Sequence, residues 1–351
     1  MTLKDYGWSH SFSSQLTHDE LETLIPCRVV AVHRSGIVVT DADAEYHVAL
    51  GSNWYSDAPQ TRPTVGDWLL LNAAKDKVVR LLERKTLLKR LAAGLVAEVQ
   101  LIAANIDTIF IVTSCNEEFN ASRLERFLAI AGDSGAHAVV VLTKMDLAAD
   151  AEEFVDRIRV ISASVPVELV NALDASTLEG TRAWCEAGQT VALIGSSGVG
   201  KSTLVNALAG RVLQLTGGIR EDDAHGRHTT TSRSLHRLEG GALLLDVPGM
   251  RELGLASLEH GVSELFNDIE SLTLRCRFSD CAHHSEPGCA VKAALESGAL
   301  DDRRFRNYQK MLREEVRNTA TIAERHQAAR AFGKQIRNSM KIKQSRRPGP
   351  D

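Results

Sequence analysis

Apolar and polar residues alternate in short runs at the start of the chain and merge into longer apolar runs further on. Between Cys27 and about Arg84, the stretches Arg28–His33, Gly36–Thr40, Glu45–Leu50, Trp68–Asn72 and Val78–Leu82 predict five short strands. Turn signals part them at Ser35-Gly36, from Asp57 to Pro63 and at Val65-Gly66-Asp67. A small all-β unit of this kind predicts an OB-like barrel. From about Leu101 the period changes. Ile106–Thr113 and Ala138–Leu142 are continuous apolar runs, as in strands buried on both faces, and Ala121–Ala131 has a helical period. A helix near Ala151–Arg159, a strand at Val165–Val170, a helix through Leu178–Glu186 and a strand at Val191–Ile194 follow. This βαβ succession predicts a mostly parallel sheet with helices on both faces. Ser234–Leu238 and Ala242–Leu245, joined across Glu239-Gly240-Gly241, predict a hairpin, and after about Leu255 the pattern is helical apart from a Cys/His cluster.

Composition narrows the class. The 351 residues suffice for two or three domains, and a net charge of -4 with 44% hydrophobic residues describes a soluble globular chain. No apolar run reaches the roughly 20 residues that span a bilayer. Met1–His10 has neither a basic n-region nor an apolar h-region, which predicts a cytoplasmic protein without membrane attachment. Cys27, Cys115 and Cys185 are scattered while Cys276, Cys281 and Cys289 cluster, a pattern of one metal site rather than a disulfide framework. The end of the chain is basic: Lys334, Arg337, Lys341, Lys343, Arg346 and Arg347 stand without an acid among them, as suits a phosphate backbone or a solvated tail.

The chemistry lies in three motifs. Gly195-Ser196-Ser197-Gly198-Val199-Gly200-Lys201-Ser202 has the G-x-x-x-x-G-K-[ST] spacing between an apolar strand and the helix opened by Thr203. Its glycines let backbone N–H groups turn toward phosphates; Lys201 reaches the β- and γ-phosphates and the Ser202 hydroxyl ligates Mg²⁺. Thr143-Lys144-Met145-Asp146 ends a buried strand, where ligands bind in parallel sheets. The Asp146 carboxylate suits the N1–H and N2 amino donors of guanine, which adenine lacks, and the Lys144 stem suits the base plane. Asp246-Val247-Pro248-Gly249 follows another apolar strand, with Asp246 placed to hold Mg²⁺ through water and the Gly249 N–H to meet a γ-phosphate. The loop Gly226-Arg227-His228-Thr229-Thr230-Thr231 offers a second Mg²⁺-binding threonine, Thr230 in preference to Thr229. Met250 stands where many GTPases keep a water-orienting Gln, so unassisted hydrolysis is expected to be slow and His228 is the nearest candidate to orient water. In an ordinary small GTPase the phosphate loop leads and the base reader comes last. Here the base reader comes first, which predicts a circularly permuted GTPase.

Cys276-x₄-Cys281-x-His283-x₅-Cys289 supplies a full Cys₃His set, which predicts a closed, structural Zn²⁺ site; His284 is the alternative imidazole. The expected fold class is therefore multidomain α/β. It divides into an OB-like β-barrel (1–95), a circularly permuted P-loop GTPase domain (96–257), a helical zinc-binding domain (258–333) and a basic tail (334–351). Nothing in the sequence requires more than a monomer.

With these motifs the chain resembles the bacterial ribosome small-subunit-dependent GTPase A family. The resemblance rests on Val65-Gly66-Asp67-Trp68, Gly226-Arg227-His228-Thr229-Thr230, Phe278-Ser279-Asp280-Cys281-Ala282-His283, Glu286-Pro287-Gly288-Cys289 and the basic C-terminal segment. It implies a late assembly factor that binds the small ribosomal subunit and its rRNA, hydrolyses GTP to GDP when the subunit stimulates it, and leaves. It also implies a catalytic role for His228. Thr143 stands in place of the commoner Asn, Val247 in place of Thr, and Asn171-Ala172 in place of Ser-Ala in the second base-contacting loop. Two other classes compete: an RNA-binding, ATP-dependent phosphotransferase sharing only the phosphate loop, and an RNA-binding protein whose nucleotide site is idle. The intact Lys201, Ser202 and Asp246 oppose the second.

Overall fold

The Val- and Ile-rich runs of the middle of the chain form the centre of the sheet, because strands buried on both faces need apolar residues at every position. The structure, a computed structural model, describes residues 1–33, 35–51, 54, 61–91, 99–213, 233–246 and 259–319. Strands β1 (Ile25–His33), β2 (Gly36–Thr40), β3 (Glu45–Val48), β4 (Trp68–Leu71) and β5 (Val78–Leu81) make the N-terminal unit. They pair antiparallel in the order β3-β2-β1-β4-β5, that of an open OB-like barrel, around Cys27, Val29, Ile37, Val39, Leu69 and Leu71. Helices α1 (His10–Ser13) and α2 (His18–Thr23), which the sequence pattern does not predict, precede it. Phe12 and Trp8 pack against the buried Trp68 with ring centroids 5.8 and 4.8 Å away.

A second element missing from the sequence reading is the antiparallel pair β6 (Leu87–Leu91) and β7 (Val99–Ala104). The chain then alternates: β8 (Thr108–Ser114), α3 (Ala121–Ser134), β9 (His137–Thr143), α4 (Glu152–Ile161), β10 (Val167–Leu169), α5 (Glu179–Ala183), β11 (Thr190–Gly195) and α6 (Lys201–Ala209). The predicted hairpin is β12 (Arg233–Arg237) and β13 (Leu243–Asp246). The sheet runs β10-β9-β8-β11-β13-β12, parallel except at β12. β12 also pairs antiparallel with β1, at Ala31 with Ser234 and Val32 with Arg233, so the sheet continues into the N-terminal unit.

Helix α6, with Leu178 and Trp184 at the two ends of α5, covers one face of the sheet, over Phe110, Val112, Val139, Val141 and Leu193. The other face shares a core with α3 and the C-terminal helices α7 (Glu259–Leu265), α8 (Asn267–Thr273), α9 (Ala290–Glu296) and α10 (Asp302–Thr319). Leu124, Phe127, Leu128 and Ala131 give α3 its buried stripe, the Asn120 side chain caps its start and Gly135, at φ 77°, ends it. At the α3–α7 crossing the backbones touch: a Cβ on Gly261 would lie 1.9 Å from the Ala129 carbonyl oxygen.

A buried arginine fixes the N-terminal unit to the rest, and a buried carboxylate braces the turn beside it. Arg28, 1% exposed, donates to the carbonyls of Gly66 (3.3 Å), Asn105 (3.1 Å) and Tyr6 and to Thr190 Oγ1 (2.7 Å). Burial pulls its guanidinium down to about 10, against the opposing pull of Asp107 and Asp67. Asp67 takes a two-pronged ion pair from Arg84 (2.7 and 2.8 Å) and the Thr64 N–H (2.7 Å). Gly66 between them lies against the Ala104 backbone, where a Cβ would come within 2.1 Å of the carbonyl oxygen.

Candidate nucleotide site and metal centre

The three nucleotide motifs leave the carboxyl ends of parallel strands β9, β11 and β13, the edge where open α/β sheets bind ligands. Gly195, Gly198 and Gly200 have φ of 151°, 81° and 93°. At Gly195 a Cβ would lie 2.2 Å from the Val112 carbonyl oxygen, so the loop starts flush against β8. Gly200 is the N-cap of α6, which directs Lys201, Ser202 and Thr203 into the first helical turn below the loop. Val199 is buried and Ser197 and Gly198 are exposed, leaving the outer rim of the loop open. Such a helix start, carrying partial positive charge, suits a phosphate.

Thr143 joins the base-reading loop to the phosphate loop. Its hydroxyl, 1% exposed as a residue, lies 2.5 Å from the Val199 carbonyl oxygen and 3.1 Å from that of Thr113. A hydroxyl at this position thus makes a bridge between loops, a role that its type alone does not reveal. Lys144, in the left-handed region at φ 58°, donates from Nζ to the Gly198 carbonyl (2.8 Å). Lys201 Nζ reaches the carbonyls of Gly195 (2.9 Å) and Ser196. Two ammonium groups, one from each motif, so converge on one loop. Met145 and Asp146 follow in a single 3₁₀ turn, with the Asp146 side chain exposed. Asn171 lies beside them, because the Met145 N–H meets the Val170 carbonyl (3.4 Å), but its Oδ1 accepts the Leu173 N–H (3.0 Å) in a local turn. Arg123, which the sequence reading did not single out, donates from Nη1 to Ser196 Oγ (2.8 Å). Its signal was positional: it is in the first turn of the helix that follows the carboxyl end of β8. Of Asp246 only the backbone is described, at the end of β13. His228, Thr229, Thr230, Gly249 and Met250 lie outside the described residues, as does the basic tail.

The sequence-predicted metal ligands come together. The ligand atoms of Cys276, Cys281, His283 and Cys289 all lie within 4.8 Å of one another. His283 Nδ1 is 3.6 Å from Cys276 Sγ and 3.5 Å from Cys289 Sγ, and those sulfurs are 3.9 Å apart. A tetrahedron with metal–sulfur bonds of about 2.3 Å has sulfur–sulfur edges of about 3.8 Å and slightly shorter sulfur–nitrogen edges, so the donor set fits Zn²⁺. His283 and not His284 enters the group, through a left-handed φ of 62°. Glu286 shapes the loop by accepting N–H bonds from Ala282 (3.0 Å), His284 (2.8 Å) and Ser285 (3.0 Å). Its own N–H and these backbone donors hold its carboxyl down at about 2. Cys289 caps α9, accepting the Lys292 N–H at Sγ (3.3 Å).

A parallel sheet with a glycine loop and a guanine-type loop at its carboxyl edge, met in reversed chain order, defines a circularly permuted P-loop GTPase. Residues 81–256 match the model of the RsgA GTPase family. A small ribosomal subunit biogenesis GTPase RsgA 2 of Vibrio parahaemolyticus is 50% identical over 98% of this chain and 94% of its own length. The small ribosomal subunit biogenesis GTPase RsgA of Mesorhizobium japonicum is 45% identical over 91% of each chain. Among solved structures, YjeQ from Thermotoga maritima matches with a TM-score of 0.60 at 25% identity, over 84% of this chain and 99% of that one. YloQ, a circularly permuted GTPase, matches with a TM-score of 0.58 at 23% identity, over 87% of this chain and all of that one, a likeness of fold. The chain belongs to the RsgA GTPase family and is a GTP hydrolase. Among the described residues no helix is long and apolar enough to cross a membrane.

Proposed function

We propose that this chain binds GTP and GDP and hydrolyses GTP on the small ribosomal subunit during its late maturation, with turnover stimulated by that subunit. The observation that carries the nucleotide half is the Thr143 bridge, which ties the loop of Asp146 to the loop of Lys201 through the Val199 carbonyl. The subunit half is supported by the names of relatives that match along nearly the whole chain. Residues Thr143 to Asp146 read guanine, Gly195 to Thr203 hold the phosphates, and Gly249 reports the γ-phosphate. Ser202, Thr230 and Asp246 would hold Mg²⁺, whose chemistry is to neutralise charge building on the phosphates. His228 orients the attacking water in place of the glutamine that Met250 displaces. Cys276, Cys281, His283 and Cys289 hold one structural Zn²⁺.

The surface beside that metal site suits RNA. Arg275, Arg277 and Phe278 are exposed there, with the Arg277 guanidinium 5.5 Å from the Phe278 ring centroid. Cationic and aromatic side chains together bind phosphates and stack on unpaired bases. The unit of 1–95, the GTPase unit of 96–257, the helical unit of 258–333 and the tail of 334–351 act as one cytoplasmic monomer. Guanine choice tests the base assignment: ATP in large excess is expected to leave labelled GTP bound. Asp146→Asn, which turns an acceptor into a partial donor, is expected to weaken GTP binding roughly tenfold or more, since hydrogen bonds to a charged group are lost. Displacement by ATP as effective as by GTP would overturn the assignment.

A further inference from the structure

Within one turn, helix α3 touches the nucleotide site on one side and the C-terminal helices on the other. Its start is held by Asn120, whose side chain accepts the Arg123 N–H (2.9 Å). From there the exposed Arg123 side chain donates to Ser196 Oγ (2.8 Å), on the second residue of the phosphate loop. Two residues on, Glu125 is fully buried and accepts from Arg303 (3.0 Å to each oxygen), Arg304 (3.1 Å) and Asn307 Nδ2 (2.5 Å), all on α10. Arg303 also donates to Ser122 Oγ (3.2 Å), Asn307 to the Ser122 carbonyl (3.3 Å), and Arg126 pairs with Glu314 (2.8 Å). Arg304 carries the network further, to Asp268 in α8 (2.9 and 3.0 Å) and to the Leu265 carbonyl in α7 (2.8 Å).

A buried carboxylate with its cations on another element cannot part from them cheaply, so the first turn of α3 and helix α10 keep a fixed relation. We propose that Arg123 is a positioning residue of the GTP site, holding the phosphate loop through Ser196, and that the docked helix α10 sets its place through Glu125. The guanidinium restrains Ser196 Oγ, so less freedom of the loop is lost when a nucleotide binds. It makes the C-terminal unit a determinant of nucleotide affinity without touching the nucleotide. The inference rests on assigning Gly195 to Ser202 to the phosphates.

The test is titration of the full chain with a fluorescent GDP analogue, together with steady-state GTP turnover. Arg123→Ala and Ser196→Ala are each expected to weaken binding about 3- to 10-fold, because a loop freed of this restraint must be ordered when the nucleotide binds. KM should rise with kcat nearly unchanged, because the contact is made equally before and during reaction. The double variant should bind no more weakly than either single one, and Arg123→Lys should recover part of the loss. Arg303→Met, half-exposed and remote from the loop, should weaken binding about 2- to 3-fold alone and add nothing to Arg123→Ala. Arg303→Gln serves if Arg303→Met melts below the wild type. Additive losses in the Arg123/Ser196 pair, or wild-type binding by folded Arg303 variants, would overturn the proposal. Lys201→Ala separates the two premises: wild-type nucleotide binding there would sink the loop assignment itself.

Discussion

A hydroxyl in place of an amide at Thr143 and a carboxylate inside an apolar stripe at Glu125 carry much of the organisation of the site. Thr143 invites a reading as a weakened base contact, and the structure uses it to tie two loops together. Glu125 stands between Leu124 and the pair Phe127 and Leu128, all buried. A lone acid on such a stripe signals a cation elsewhere, but its partners lie about 180 residues away along the chain, beyond any local pattern. Asp41 is a simpler case, local to the N-terminal unit. Burial acts to raise its pKa, but Lys75 Nζ (2.5 Å), the N–H groups of Ala44 and Asp43 (both 3.0 Å) and the Tyr46 hydroxyl (3.1 Å) overcome it and hold the carboxyl at about 2, below its ordinary 3.8. The folded state then binds fewer protons than the unfolded one, so this stabilisation is complete above pH 3.8 and lost as pH falls through about 2. Asp41→Asn should melt below the wild type at neutral pH, with the gap closing in acid. Melting curves from pH 7 down to 2 check this, and a gap independent of pH would contradict it.

At the scale of elements, alternation and apolar runs predict all five strands of the N-terminal unit and the βαβ succession, because each is set by which faces are buried. The pair β6 and β7 and helices α1 and α2 escape such a reading, since they are short and stabilised by distant partners such as Trp68. The β1–β12 pairing joins strands about 200 residues apart and leaves no local trace. The metal loop is legible from ligand spacing except for the choice between His283 and His284, which the fold makes in favour of His283. Cys289 starts α9, and the His283 ring lies 6.2 Å from that of Phe305 on α10, edge to face. Since a structural metal contributes its binding energy to folding, its loss should loosen both helices. Metal analysis should find one zinc per chain, and Cys281→Ser should lose it together with helical signal and melting temperature. A metal-free chain that melts like the wild type would refute the structural assignment.

For the whole molecule, permutation decides what lies next to what. The β12–β13 hairpin stands between the Thr229–Thr230 segment and the Asp246–Gly249 motif in sequence, and β12 is bonded to β1 of the N-terminal unit. The C-terminal helices follow that motif directly and dock on α3 through Glu125. The nucleotide site is thus flanked by two units that each hold one of its structural supports, and a partner gripping both can act on hydrolysis. The central claim is that this partner is the small ribosomal subunit and that His228 serves the reaction it stimulates. GTP turnover by the full chain, with and without purified small subunits and with His228→Ala alongside, tests it most directly. The account predicts slow turnover alone, a large rise with subunits, and loss of most of that rise in His228→Ala with nucleotide binding intact; equal rates with and without subunits would contradict it.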